Sequence, residues 1–161
     1  LPKLAPAFAA EGTITAGNAS SLSDGAALVA LGKEGGHTKP LARILAHASF
    51  AQDPAWFTTA PIACIRKLLH KVDMQVEQVD LFEINEAFAV VSEKFQRDLE
   101  LDREKVNING AAMALGHPIG ATGAMLIGTA LDELERCDGQ FALITMCAGG
   151  GMAPAIIIER I

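Results

Sequence analysis

Apolar residues recur along this chain in two periods, and the changes between them mark its elements. Ile62, Ile65, Leu68, Leu69 and Val72 fall on one side at helical spacing, with Arg66, Lys67, His70 and Lys71 opposite. An amphipathic helix is predicted there, capped by Thr59 and with Pro61 in its first turn. Phe88, Val91, Phe95 and Leu99 repeat the spacing and predict a helix over residues 86–99. A third helix, over 120–136, opens on small uncharged residues, so its first turns should be buried; it ends in Asp132, Glu133, Glu135 and Arg136. Between the helices lie apolar runs of strand length at 79–84, 106–108, 140–146 and 155–160. The last two flank a glycine-rich turn and read as an antiparallel pair.

The first quarter of the chain is less regular. Residues 1–23 read as an irregular lead-in, with a short extended piece at 12–15. Ser23 and Asp24 then offer a helix cap, and the Ala26 to Leu31 run, apolar on all sides, predicts a buried helix stopped by Gly35 and Gly36. Residues 41–51 suit a buried strand, with a helix as the alternative. The order strand, helix, strand, helix, strand, helix, strand, strand predicts one layered α/β sheet, mostly parallel with an antiparallel final strand. In such sheets function gathers where strands end. Asn85, His117 and Cys147 each follow a predicted strand, so all three are expected at one edge.

Composition narrows the picture. With 161 residues the chain has room for one domain and a proper core. Fifteen glycines, no tyrosine and 50% hydrophobic residues favour a tightly packed α/β domain. The net charge of -6 argues against nucleic acid as a partner. No apolar run reaches the length of a membrane span. Cys64, Cys137 and Cys147 make an odd total without close pairing, so neither a disulfide framework nor a metal site is indicated. A reducing, cytoplasmic setting fits. Leu1 stands where a methionine is usual, which points to a truncated or proteolysed product whose targeting information is missing.

A carboxamide, an imidazole and a thiol at strand ends are what carbonyl-centred acyl chemistry needs: oxyanion donors, a base and an acid. His117 precedes a predicted helix start, where the helix dipole favours the neutral ring; packing beside Pro118 is the alternative. Cys147 precedes three glycines that let the backbone turn sharply and aim N–H groups at a negative oxygen; a small core residue is the alternative. Asn85 reads equally as an ordinary helix cap, and Phe88 as core. Cys64 and Cys137 read as structural, and His37, His47 and His70 as surface or structural. An obvious nucleophile is lacking.

Five short motifs stand in order: Thr15-Ala16-Gly17-Asn18-Ala19-Ser20, Asn85-Glu86-Ala87-Phe88, Asn107-Ile108-Asn109-Gly110, Gly116-His117-Pro118-Ile119-Gly120 and Cys147-x-Gly149-Gly150-Gly151. Together they closely resemble the C-terminal half of the thiolases. The resemblance implies a thiolase-like C-terminal domain over 1–161, a five-stranded mixed sheet flanked by helices that packs against a similar N-terminal half in a five-layered arrangement. It implies acetyl-CoA C-acetyltransfer, either thiolytic cleavage of a 3-ketoacyl-CoA or the reverse Claisen condensation. His117 would activate the nucleophilic cysteine and, with a water held by Asn85, bind the thioester oxygen. Cys147 would be the acid/base, and the Gly149 N–H would serve a second oxyanion hole. Ser20 and Phe88 match positions that touch the pantetheine arm of coenzyme A. Asparagine at 85 separates the chain from ketoacyl synthases, which place a histidine there. The 32–39 connection looks shortened relative to the family.

The expected partners are therefore a coenzyme A thioester as substrate, with no permanently bound cofactor, and an N-terminal half that carries the nucleophile. The complete enzyme is expected to be a homo-oligomer and the isolated chain inactive. The competing expectation is a non-catalytic acyl-CoA binding or assembly module that keeps the fold.

Overall fold

The computed structural model describes residues 3–36 and 39–161. His37 lies outside them. Four strands form one sheet, β1 (Ala42–Ala51), β2 (Leu81–Ile84), β3 (Phe141–Thr145) and β4 (Met152–Arg160), in the spatial order β1-β4-β3-β2. The helices are α1 (Ala60–Lys71), α2 (Ala89–Asp98), the single turn α3 (Ala112–Leu115) and α4 (Thr122–Cys137). β2 and β3 run parallel, whereas β4 runs antiparallel to both β3 and β1. The expected α/β class holds, but the sheet has four strands rather than five, and antiparallel ladders outnumber parallel ones.

Two expected elements are absent. The strand foreseen at 106–108 is reduced to one bridge, Val106 beside Phe82, because Asn107 turns to φ 48° and breaks the extended backbone. The helix foreseen over Ala26 to Leu31 does not form. These residues are exposed and non-helical, with Leu28 88% and Leu31 77% accessible. An all-apolar helix needs a surface on every side, and nothing among the described residues packs over this stretch.

Strand alternation sorts the core onto the two sheet faces. Phe82 and Ile84 of β2, Leu143 of β3 and Ile157 of β4 pack with Ile65 and Leu68 of α1 and Val91 and Phe95 of α2. Leu81, Ala142, Ile144 and Ile158 face the other way, against Leu126, Ala130 and Leu134 of α4. The amphipathic 61–72 segment thus becomes α1 as its stripe predicts, with Cys64 fully buried in that core. α4 buries Thr122 in its first turn but leaves Gly123, Ala124 and Met125 half-buried. Its opposite end carries exposed Cys137.

The outer edge of β1 is partly closed by α1. Lys67 Nζ donates to the Ser49 carbonyl at 3.0 Å and Lys71 Nζ to the His47 carbonyl at 3.1 Å.

Candidate active site

Asn85 follows β2 and Cys147 lies two residues beyond β3. The Asn85 N–H donates to the Thr145 carbonyl at 3.0 Å, continuing the parallel ladder past its end. Both residues therefore occupy the same end of the sheet. His117 arrives there from the loop between α3 and α4, and Asn85 Nδ2 lies 3.4 Å from its Nε2. Asn85 is fully buried. It is not a helix cap: α2 begins at Ala89, preceded by Phe88 in extended conformation with no side-chain cap.

The hydrogen bonds fix the tautomer of His117. Thr122 Oγ1 donates its proton to the Pro118 carbonyl at 3.0 Å, so it accepts at its 2.7 Å contact with His117 Nδ1. Nδ1 carries the proton, which leaves the Nε2 lone pair of the neutral ring to accept from Asn85 Nδ2. Burial lowers the His117 pKa from the ordinary histidine value, because a charged ring there would lose water. The expected neutrality thus has desolvation as its cause rather than the dipole of α4, which starts only at Thr122. Thr122 escaped the sequence reading; a hydroxyl five residues after the histidine was the available signal. Asn85 Oδ1 is buried with no hydrogen-bond partner among the described residues.

Cys147 is 8% exposed and joins the core packed on α1 and α2. Burial raises its pKa above the usual thiol value, which outweighs the lowering influence of a backbone N–H. The group is thus held as a protonated thiol, able to give a proton. The following glycines form a three-residue loop closed by Ala148 N–H to Met152 carbonyl at 2.7 Å and Met152 N–H to Ala148 carbonyl at 3.2 Å. Gly150 and Gly151 adopt φ 85° and 84°, whereas Gly149 has no positive φ and is exposed. A Cβ at Gly151 would also collide with the Gln52 carbonyl at the end of β1. Gly151→Ala is therefore expected to destabilise the fold by about 3 kcal/mol. Urea unfolding would show it as a lower midpoint with an unchanged slope.

The lead-in builds one wall of the site. Ser20 N and Oγ both bond the Ala87 carbonyl at 3.0 Å, and Ala19 bridges Phe88. Ser20 and Phe88 are thus neighbours, as their shared role would require. Phe8, unremarked in the sequence, meets the Phe88 ring edge-on at 6.0 Å. Further along, the His117 N–H donates to the Ser21 carbonyl at 3.0 Å. Leu22, Ser23, Asp24, His117 and Ile119 line an open cavity of about 340 Å³. Neither remaining cysteine reaches this site. Cys64 is sealed in the core, and Cys137 closes the far end of α4, about 24 Å from its start at 1.5 Å per residue.

Among the described residues no three His, Cys, Asp or Glu side chains are arranged to hold a metal, and no helix is long and apolar enough to cross a membrane.

Fold and site together define an α/β domain that gathers an asparagine, a neutral histidine and a glycine-loop cysteine at one sheet end. Residues 38–160 match the family model "Thiolase, C-terminal domain", and residues 1–35 match "Thiolase, N-terminal domain". The chain belongs to the thiolase family, as the five motifs indicated. It is 45% identical over 164 residues to an acetyl-CoA acetyltransferase of Allochromatium vinosum, covering 99% of this chain and 42% of that protein. The crystal structure of the Bacillus anthracis acetyl-CoA acetyltransferase superposes with a TM-score of 0.92 at 41% identity, again over 99% of this chain and 42% of that one. Human mitochondrial 3-ketoacyl-CoA thiolase in complex with CoA superposes with a TM-score of 0.89 at 35% identity, with the same coverage of both chains. The chain thus spans less than half the length of these relatives.

Proposed function

We propose that this chain is the C-terminal catalytic portion of an acetyl-CoA C-acetyltransferase, acting on a coenzyme A thioester by thiolysis or by the reverse condensation. The observation that carries this reading is the neutral, half-buried His117 with its Nε2 turned to Asn85. A base must be unprotonated at working pH, and Nε2 carries no proton here, its lone pair facing the Asn85 amide across a long 3.4 Å contact that a stronger donor can displace. In the proposed reaction His117 takes the proton of a nucleophilic cysteine supplied by an N-terminal half. That thiolate attacks the 3-keto carbon, the bond between the α and β carbons breaks, and Cys147 protonates the α-carbon as acetyl-CoA departs. The Cys147 thiolate then takes the proton of incoming coenzyme A, whose sulfur displaces the acyl group, and the released cysteine thiolate recovers its proton from His117.

Two oxyanion sites serve these steps. His117 and a water bind the thioester oxygen, the water donating one proton to that oxygen and the other to Asn85 Oδ1, which has no partner among the described residues. The Gly149 N–H serves the second, in the loop that the Ala148–Met152 bonds close. Ser20 and Phe88 contact the pantetheine arm. Identity to acetyl-CoA acetyltransferases and likeness to a thiolase structure in complex with CoA support the substrate class.

Acetoacetyl-CoA thiolysis tests the reading. The purified chain alone is expected to be inactive, since neither Cys64 nor Cys137 reaches His117, and supplying the N-terminal half is expected to create activity. Substantial turnover by the chain alone would overturn the division of labour between halves.

A further inference from the structure

The Asn107-Ile108-Asn109-Gly110 motif takes no part in the chemistry above, yet its first residue is bound into the base of the site. Asn107 is 9% exposed, sits at φ 48°, and uses both ends of its side-chain amide. Oδ1 accepts from the Ile84 N–H at 2.7 Å, while Nδ2 donates to the Ile84 carbonyl at 3.0 Å and to Glu86 Oε1 at 2.9 Å. Its own N–H donates to the Phe82 carbonyl at 2.9 Å. Glu86 Oε2 in turn accepts from the Met113 N–H at 3.3 Å.

These bonds have a direction. Ile84 and Glu86 are the residues on either side of Asn85, so Asn107 grips that residue from both flanks. Met113 belongs to α3, whose turn leads through Gly116 into His117. One asparagine and one carboxylate therefore join the two loops whose tips meet at 3.4 Å.

We propose that Asn107 and Glu86 are positioning residues that set the Asn85–His117 contact, a role that rests on the reading of that pair given above. The side-chain amide stands in for a peptide group just where the 106–108 backbone leaves the sheet. It needs a donor and an acceptor at peptide-like separation on a backbone tolerant of positive φ, which asparagine supplies. Aspartate would offer no donor and would face the Glu86 carboxylate. If Asn107 merely completed the β2 ladder, its bonds to Ile84 would suffice and the Glu86 link to Met113 would have no purpose.

The test is NMR of the histidine-labelled chain, with the His117 signal assigned by its loss in His117→Ala. In the parent chain His117 is expected to titrate below the ordinary histidine range and its ring to show a cross-peak to the Asn85 side-chain amide. Asn107→Ala should abolish the cross-peak and raise the titration toward the ordinary value as water enters. Asp24, the titratable neighbour lining the same cavity, is common to all variants and cancels from the comparison. Glu86→Gln is the second variant, needed because Asn107→Ala also removes two ladder bonds and risks unfolding the end of β2. It keeps both Ile84 bonds, loses an acceptor to its new amide, and should weaken the cross-peak and shift the titration by an intermediate amount. A folded Glu86→Gln chain with the parent's titration and cross-peak overturns the proposal. Full thiolase activity of His117→Ala in the completed enzyme would instead overturn the catalytic reading, and would leave the NMR comparison standing.

Discussion

Raising the pH from 6.5 to 8 is expected to cost the folded chain about 2 kcal/mol of stability, and Glu83→Gln is expected to remove that loss. Glu83 lies on β2 facing α4, 1% exposed, with Oε2 buried and unpartnered. Burial first, then the charges of Glu86 and Glu133, push its pKa from 4.5 to about 8. Glu133 escapes the same fate because Arg136 and Asn109 bond its carboxylate and lower its pKa. For Glu83 the folded state binds the extra proton between 4.5 and about 8, so its contribution is complete below 4.5 and lost as the pH climbs through that window. His117 works in the opposite sense and chiefly below 6.5, while the raised pKa values of Cys64 and Cys147 act near 9.0 and above. Glu83 therefore dominates the interval from 6.5 to 8. Urea unfolding at the two pH values reads the effect, and a Glu83→Gln chain as pH-sensitive as its parent would refute the assignment.

The second large effect concerns the chemistry. In an enzyme completed by its N-terminal half, His117→Ala is expected to lower kcat for acetoacetyl-CoA thiolysis by about 10³-fold or more. In the proposed reaction the residue has two roles, a general base worth roughly 10² to 10⁴ and an oxyanion donor worth roughly 10² to 10³, and the substitution removes both. The roles act on the same intermediate, so the losses should not multiply in full. The KM for the acyl-CoA should change little, because Ser20 and Phe88 stay in place. Unchanged turnover would take His117 out of the chemistry and favour a binding or assembly role for this half.

The sequence was most readable where one residue's neighbours in space are also its neighbours in the chain. The α1 stripe and the apolar runs of β3 and β4 needed no distant partner to be read, and all three formed. The Ala26 to Leu31 run misled because apolarity signals burial without saying what does the burying; the run falls in the 1–35 stretch that matches an N-terminal domain model. At 106–108 a short apolar pattern concealed Asn107, whose side chain does the pairing that a longer strand would have left to its backbone. Asn85 and His117 were legible as residues of one edge, but their direct contact was not, since it spans 32 positions. Glu83 drew no notice at all. A carboxylate between Phe82 and Ile84 reads as a solvent-facing position, and only the packing of α4 makes it otherwise.

The two lysines reaching from α1 to the β1 carbonyls bear on how copies of this chain behave toward one another. An edge strand with free carbonyls invites a second molecule to extend the sheet. Here the Ser49 and His47 acceptors are already engaged by ammonium groups, and an incoming strand would have to dislodge them and sit beside two like-signed charges. The same helix that covers one face of the sheet thus also guards its open side against polymerisation.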